Sequence, residues 1–259
     1  MRGRIDNNPL WIDEARFYRT ALRSIASSTN ERTAIACLLS PGAVAGNSVA
    51  LERHPHSTPR AEALFITAVG NSFVFDWCLR ITNSSNVSLF LLQNIPLPTV
   101  TPTIKTLLAH GALRLTSLHS GYAALWREQV GTLWRETRER ETWPALQTGE
   151  LIMGLKAAID AAVARSYGIS ERAYSQVLAS FNHSAQPSFP VLCLERFAEF
   201  GRIGPEEYAR KYDSYWDIPL NESLPVPVIE FPGFAAADER VSGFSLASPY
   251  ATKKGRRRK

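Results

Sequence analysis

The chain has 259 residues, of which 45% are hydrophobic, 10% aromatic and 20% charged, and this composition excludes a disordered or collagen-like protein. No apolar run approaches the roughly 20 residues that span a bilayer, and the three widely spaced cysteines indicate reducing surroundings, so we expect a soluble cytoplasmic protein without disulfides. Six of the 29 basic residues lie in the tail Lys253–Lys259. The rest of the chain has 23 basic and 24 acidic residues, so the net charge of +5 does not indicate a folded basic surface.

Residues 10–58 are predicted to be mostly extended. Ala34–Leu39 is a short apolar run that ends at the turn signal Pro41-Gly42, and Val44–Leu51 returns as a second strand with a bulge or loop at Gly46. The pattern leaves the order of the strands open.

A helix is predicted over residues 59–81, with Thr58 as its N-cap and Pro59 at its first position. Its apolar face repeats every four residues, at Phe65, Val69, Phe73 and Trp77. Val87–Leu92 is predicted to be a short buried strand, and residues 95–98 an extended exit because proline disfavours helix before it.

The chain is predicted to be helical from Thr101, with one apolar face that continues to Trp134 and holds Leu115, Leu118, Tyr122, Leu125 and Trp126. The next helix, Glu150–Tyr167, is predicted to end at Gly168, and Ser170 to cap a short helix through Leu178. A short helix over Pro205–Tyr212 and an extended strap from Pro219 complete the pattern. The basic tail either attracts nucleic acid or is a solubilising end.

The sequence shows no convincing catalytic set. It has no glycine-rich nucleotide loop, no nucleophile elbow and no cysteine or histidine pair at zinc spacing, so we expect no metal and no cofactor in this chain. His54 and His56 flank Pro55 in a polar loop and are predicted to be solvated. The cysteines lie in apolar runs and are predicted to be inert buried thiols.

Two regions carry more information. Arg16–Arg23 leads into Thr29–Thr33, whose amide, carboxylate and guanidinium groups suit base edges in DNA. Composition alone favours the alternative, a turn held by Asn30 and an internal ion pair between Glu31 and an arginine. In the second region, Gly70–Arg80, the aromatic side chains are predicted to be core, and Asp76 and Arg80 are spaced for an i,i+4 ion pair.

These segments together resemble the C-terminal part of large adenine-specific DNA methyltransferases. The segments are Arg16-x-x-Arg19, Thr29–Thr33 (TNERT), Pro41-Gly42, Asn71–Arg80 (NSFVFDWCLR) and Asn94–Pro98 (NIPLP). The relatives are single-chain restriction–modification enzymes and phage-defence methyltransferases of the BREX and DISARM kind. Ala157–Phe181 looks like the helix–turn–helix that follows in those proteins, so the likeness covers about residues 10–200.

The resemblance implies that the chain is a target-recognition part that is inactive alone, because in the family the catalytic domain precedes this segment. It implies binding to double-stranded DNA and docking on a catalytic methyltransferase chain that holds S-adenosylmethionine. The candidate DNA contacts are Arg16, Arg19, Arg23, Asn30, Arg32 and Asn47. The rival interpretation is a scaffold remnant of such an enzyme with no DNA readout; a third, an independent nuclease, needs a carboxylate cluster that the sequence does not show.

The expected fold is α+β, with a mixed recognition region followed by helices and an extended C-terminal strap. The predicted divisions are a mixed α/β recognition region over residues 1–100, a helical region over 101–200, an irregular extension over 201–252 and a basic tail over 253–259.

Overall fold

The computed structural model describes residues 14–26, 30–82, 87, 89–131 and 148–229, and these form the α+β fold that the sequence predicts. A small antiparallel sheet near the N-terminus packs against helices drawn from the rest of the chain. Within the described residues no single helix is long and apolar enough to cross a membrane; Arg60–Gly70 and Phe73–Thr82 meet the criterion only as a pair bent by 67°.

The sheet has three strands: β1 (Arg19–Arg23), β2 (Ala36–Leu39) and β3 (Val49–Leu51). β1 lies in the middle and pairs antiparallel with both others, so that Leu22 lies opposite Ala36 on one side and Ala50 on the other. The loop 40–48 therefore crosses from one edge of the sheet to the other. Both predicted strands are present, and the returning one begins later than predicted.

The single helix predicted over residues 59–81 is wrong: two helices are present, α1 (Arg60–Gly70) and α2 (Phe73–Thr82), with a sharp bend between them. Three hydrogen bonds explain the break. The Asn71 side chain binds the backbone of Ala36, and the backbone N–H of Phe73 donates to the Asp160 carboxylate, 2.9 Å away. The four-residue repeat consequently does not form one face. The predicted N-cap, Thr58, is also wrong: Pro59 occupies the N-cap position of α1, and no side chain caps the helix.

Val87–Leu92 is not a strand, because Leu89–Gln93 forms the short helix α3. The backbone N–H of Val87 donates to the carbonyl of Ser24, the residue after β1, at 2.8 Å. A short apolar run cannot be assigned to helix or strand by its period alone, which is why the sequence misleads here.

The predicted apolar face from Leu115 to Trp126 is divided between two helices. α4 (Pro102–Thr116) is capped by the Thr101 hydroxyl and ends before Ser117, and α5 (Ala123–Val130) begins after a 3₁₀ turn. Leu118 falls in the connection and is exposed. The predicted continuation to Trp134 lies outside the described residues.

The prediction for the next helix pair is confirmed. α6 (Gly149–Ser166) is followed by Gly168, which has a φ of +70°, and the Ser170 hydroxyl accepts from Ala173 N–H at the start of α7 (Glu171–Ala179). Glycine suits this C-terminal position because it has no Cβ to strain the left-handed backbone.

The last helix, α8 (Phe189–Tyr212), is much longer than the predicted Pro205–Tyr212. It kinks at Gly204, whose φ of +80° and ψ of +168° are not helical. Residues 201–212, which fall in the predicted irregular extension, belong to this kinked helix. Residues 213–229 form no helix or strand, in keeping with the predicted strap. The remainder of the strap and the basic tail lie outside the described residues.

Two apolar cores hold these elements together. The larger one runs from the sheet through α1, α4 and α6 to the second half of α8, and its buried members include Leu38, Leu64, Leu107, Val163 and Tyr208. The smaller one joins α2 to α6, α7 and the first half of α8, through residues such as Phe73, Tyr174, Phe181, Cys193 and Phe197. The larger core draws on both sides of residue 100, and the predicted division there stays a prediction.

Candidate nucleic-acid interface

The Asp76 carboxylate is the centre of the candidate site. It is fully buried on α2 and accepts hydrogen bonds from the backbone N–H groups of Thr33, at 3.1 and 3.2 Å, and of Ala34, at 3.1 Å. It also accepts from Arg32 Nε at 2.8 Å. Asp76, in the Gly70–Arg80 region, therefore binds the backbone of the region that follows Arg23. We call residues 30–34 the Asn30–Ala34 loop.

Two arginines, Arg32 and Arg80, pair with Asp76, and each also stacks on an aromatic ring. The Arg32 guanidinium lies 4.2 Å from the centre of the Phe73 ring, and that of Arg80 lies 4.0 Å from the centre of the Phe181 ring. Arg80 Nε lies 3.5 Å from Asp76, which confirms the predicted i,i+4 pair, and its Nη2 donates to the carbonyls of Asn30 and Glu31. Burial lowers the pKa of Arg80, and the Asp76 charge opposes that shift.

Asn71 ties the same helix pair to the sheet. Its side-chain Nδ2 donates to the Ala36 carbonyl at 2.8 Å and its Oδ1 accepts from the Ala36 N–H at 3.0 Å, as a neighbouring strand would. Further along β2, the Tyr122 hydroxyl donates to the Leu38 carbonyl at 2.8 Å. Side chains thus occupy polar groups on the outer edge of β2 that another strand would otherwise pair with.

Asp160 connects the α6–α7 pair to this site. Its carboxylate is buried and accepts from Phe73 N–H and, at 2.7 Å, from the Tyr174 hydroxyl on α7. Burial raises the pKa of Asp160 to about 6, although the nearby Arg32 charge and both hydrogen bonds oppose the shift. The start of α2 is therefore fixed by a carboxylate from a helix far along the chain.

Four of the six predicted DNA contacts lie together where β1 ends. Asn30 and Asn47 are exposed, and Arg23 and Arg32 are partly exposed. Arg23 Nη2 donates to the Arg32 carbonyl, and the Ser24 hydroxyl donates to the Asn47 carbonyl at 3.3 Å. The structure therefore brings these four residues to one end of the sheet.

The other two predicted contacts lie at the opposite end. Arg19 is only 4% exposed and donates to the Ala43 carbonyl, so it holds the crossing loop 40–48 against the sheet. Arg16 Nε donates to the Ile229 carbonyl at 3.3 Å. Burial lowers the pKa of Arg19, with the carboxylates of Glu14 and Glu52 opposing the shift. Arg19 is therefore too buried to reach DNA in this conformation.

The internal role for arginine that composition favoured is present, with a different partner. Arg32 pairs with Asp76 rather than with Glu31. The spacing of Asp76 and Arg80 predicts their local pair but not that both residues bind the Asn30–Ala34 loop. The i,i+4 spacing was the available signal, and it carries no information on contacts more than 40 residues away.

The described residues contain no group of three or more His, Cys, Asp or Glu side chains that could hold a metal ion. His54 and His56 are exposed, as predicted. The prediction of buried thiols is confirmed for Cys193, whereas Cys78 is half-buried and Cys37 is exposed on β2. Contact with the protein still raises the thiol pKa of Cys37 and of Cys78, which weakens both as nucleophiles. A cleft of about 540 Å³ lies beside β2, and its lining includes the apolar Ile35 and Leu118 together with the polar Lys156 and His119.

No protein-family model, no curated protein and no solved structure matches this chain. A function therefore has to rest on the quoted motifs and on the geometry around Asp76.

Proposed function

We propose that the chain is the DNA target-recognition part of an adenine-N6 DNA methyltransferase of a restriction–modification or phage-defence system, without a catalytic domain of its own. One observation carries the proposal: two of the motifs behind the resemblance interlock. Asp76 and Arg80, in the Asn71–Arg80 segment, bind the backbone of the Asn30–Ala34 loop, which overlaps the Thr29–Thr33 segment and exposes the Asn30 side chain.

The chemistry of this end of the sheet suits DNA. An exposed amide such as that of Asn30 or Asn47 can bind adenine through N6 and N7 in the major groove. Arg32 and Arg80 both pair with the buried Asp76 carboxylate, and Arg23 donates to the Arg32 carbonyl, so three guanidinium groups lie at the same end of the sheet as the two amides. In this proposal the amides read bases and the partly exposed arginines lie near phosphates.

Arg16 and Arg19 have a different part in the proposal. Both donate to backbone carbonyls at the far end of the sheet, and they stabilise the crossing loop and the strap rather than contacting DNA. A separate catalytic chain would bind S-adenosylmethionine and extrude the target adenine from the duplex. The nearly balanced charge outside the tail favours such an obligate partnership over strong unaided binding.

The test is a genome-wide map of N6-methyladenine in the native host with the gene intact, deleted, and restored as wild type or variant. We expect deletion to abolish methylation at one defined motif. Restoring the gene with Asn30→Ala and Asn47→Ala should relax or change that motif, with about a fivefold to hundredfold loss of discrimination per base contact. An unchanged map after deletion, or a wild-type host without methylation at any defined motif, contradicts the proposal.

The matched control is Arg202→Ala. The Arg202 side chain is 72% exposed on α8, where it pairs with Glu199. The substitution removes a cation and leaves the Asn30–Ala34 loop unchanged. We expect the control to leave the motif unchanged, because loss of a remote surface charge affects only sequence-independent attraction to DNA.

A scaffold role without DNA readout is the second candidate. The observation in its favour is that Arg19 and Arg32 bind internal groups, while the cleft beside β2 has exposed Ile35 and Leu118 at its margin. This role predicts an unchanged methylation map after deletion. It also predicts that the purified chain loses all affinity for duplex DNA once Lys253–Lys259 are removed, as measured by fluorescence anisotropy.

A further inference from the structure

The Asn30–Ala34 loop is held in two halves by different groups. Its second half is bound by Asp76, which accepts from the N–H groups of Thr33 and Ala34. Its first half is bound by Arg80, whose Nη2 donates to the Asn30 carbonyl and, at 2.7 Å, to the Glu31 carbonyl. Asn30, the exposed amide, belongs to the half that Arg80 holds.

The Arg80 guanidinium is itself fixed from two other directions. The Phe181 ring lies beneath it, with its centre 4.0 Å from Cζ, and Asp76 lies 3.5 Å from Nε. Only 11% of the side chain is exposed. A planar guanidinium can stack on a ring, pair with a carboxylate and donate to two carbonyls at once, whereas a lysine ammonium cannot satisfy all of these in one position.

From this arrangement we propose that Arg80 is the positioning residue that sets the direction of the Asn30 amide and thereby the sequence preference of the DNA site. The inference rests on the proposed function, and it adds a residue that does not itself contact DNA. The ring of Phe181, which follows α7, stacks against the Arg80 guanidinium. The α6–α7 pair, whose sequence resembles a helix–turn–helix, therefore contributes to specificity through this ring.

The test compares Arg80→Lys with the control Arg202→Lys in the restored host strain. For each, the methylated fraction is measured at the target motif and at sites that differ from it by one base. Arg80→Lys keeps the charge, so we expect methylation to persist while the ratio of target to single-mismatch sites falls by at least about fivefold. Arg202→Lys should keep the wild-type ratio. A merely structural role for Arg80 would lower methylation at all sites and leave the ratio unchanged, which overturns the inference.

A double-mutant cycle tests whether Arg80 acts through Asn30. If it does, adding Arg80→Lys to Asn30→Ala causes no further loss of discrimination, because the group being positioned is already gone. Additive losses from the two changes overturn the inference.

One outcome needs a second measurement. If Arg80→Lys lowers the abundance of the chain so far that methylation disappears, Phe181→Leu is measured instead. This change removes the ring that stacks on Arg80 while keeping an apolar side chain, and it should lower the same ratio; an unchanged ratio overturns the inference.

A wild-type map that does not depend on the gene overturns the proposed function and this inference with it. A gene-dependent motif whose ratio is unchanged by Arg80→Lys overturns the inference alone.

Discussion

Replacing Asp76 by asparagine should destabilise the protein more than any other isosteric change at the site. Oδ1 accepts from Thr33 and Ala34 N–H, and Oδ2 accepts from Thr33 N–H and Arg32 Nε. An asparagine side chain presents an NH₂ group to one of these sets of donors, whichever way the amide turns. The variant therefore loses a charge pair and leaves at least one buried donor unpaired.

The expected loss follows from the burial of the groups. Breaking a buried ion pair typically costs about 3–5 kcal/mol. The side chains of Arg32 and Arg80 are 22% and 11% exposed, so both arginines can recover some bonding to water, and the lower end applies. We therefore expect a fall of about 3 kcal/mol in the free energy of unfolding, or roughly 10 °C in Tm for a chain of this size.

Urea denaturation followed by far-ultraviolet circular dichroism measures this loss, with thermal melting as a second readout. Glu207→Gln is the control, because Glu207 is an exposed carboxylate on α8 and its replacement should change stability by less than about 0.5 kcal/mol. A loss below about 1 kcal/mol for Asp76→Asn would mean that the carboxylate does not hold the Asn30–Ala34 loop as described.

Two further changes test other parts of the structure. Burial raises the pKa of Asp160 from 3.8 to about 6, so between about pH 6 and pH 4 the folded chain holds more of this proton than the unfolded chain does, and this group favours the fold by about 2 kcal/mol more at pH 4 than at pH 7. Asp160→Asn should remove that dependence; a difference in unfolding free energy between wild type and variant that is flat with pH refutes the assignment. Gly204→Ala should cost about 2 kcal/mol in chemical denaturation, because its φ of +80° with a ψ of +168° strains any residue with a Cβ, although no atom lies within 4 Å of the added group. Gly154→Ala, also with open space but inside α6, should instead stabilise the chain by about 0.5–1 kcal/mol, and equal effects at both glycines would refute backbone strain as the cause.

Signals that depend on neighbouring residues could be read from the sequence alone. The glycine at 168, the cap at Ser170 and the spacing of Asp76 and Arg80 all act within one or two turns of helix, and all are present. The α+β class follows from such signals as well, because a short alternating region near the N-terminus precedes long helical periods. Among the candidate contacts, this local level of information could identify polar exposed residues such as Asn30 and Asn47.

Only the tertiary structure decided where polar groups find partners far along the chain. The break between α1 and α2 depends on two contacts. Asn71 binds Ala36, and Asp160 binds Phe73, which lies 87 residues before it in the chain. The role of Arg32 likewise depends on Asp76, 44 residues away. Hydrophobic period reports which face of an element is buried, whereas a buried polar side chain must bind whichever group the folded chain brings beside it. Local pattern therefore determined the fold class and the α6–α7 pair, and distant pairing determined the bend, the buried arginines and the shape of the candidate site.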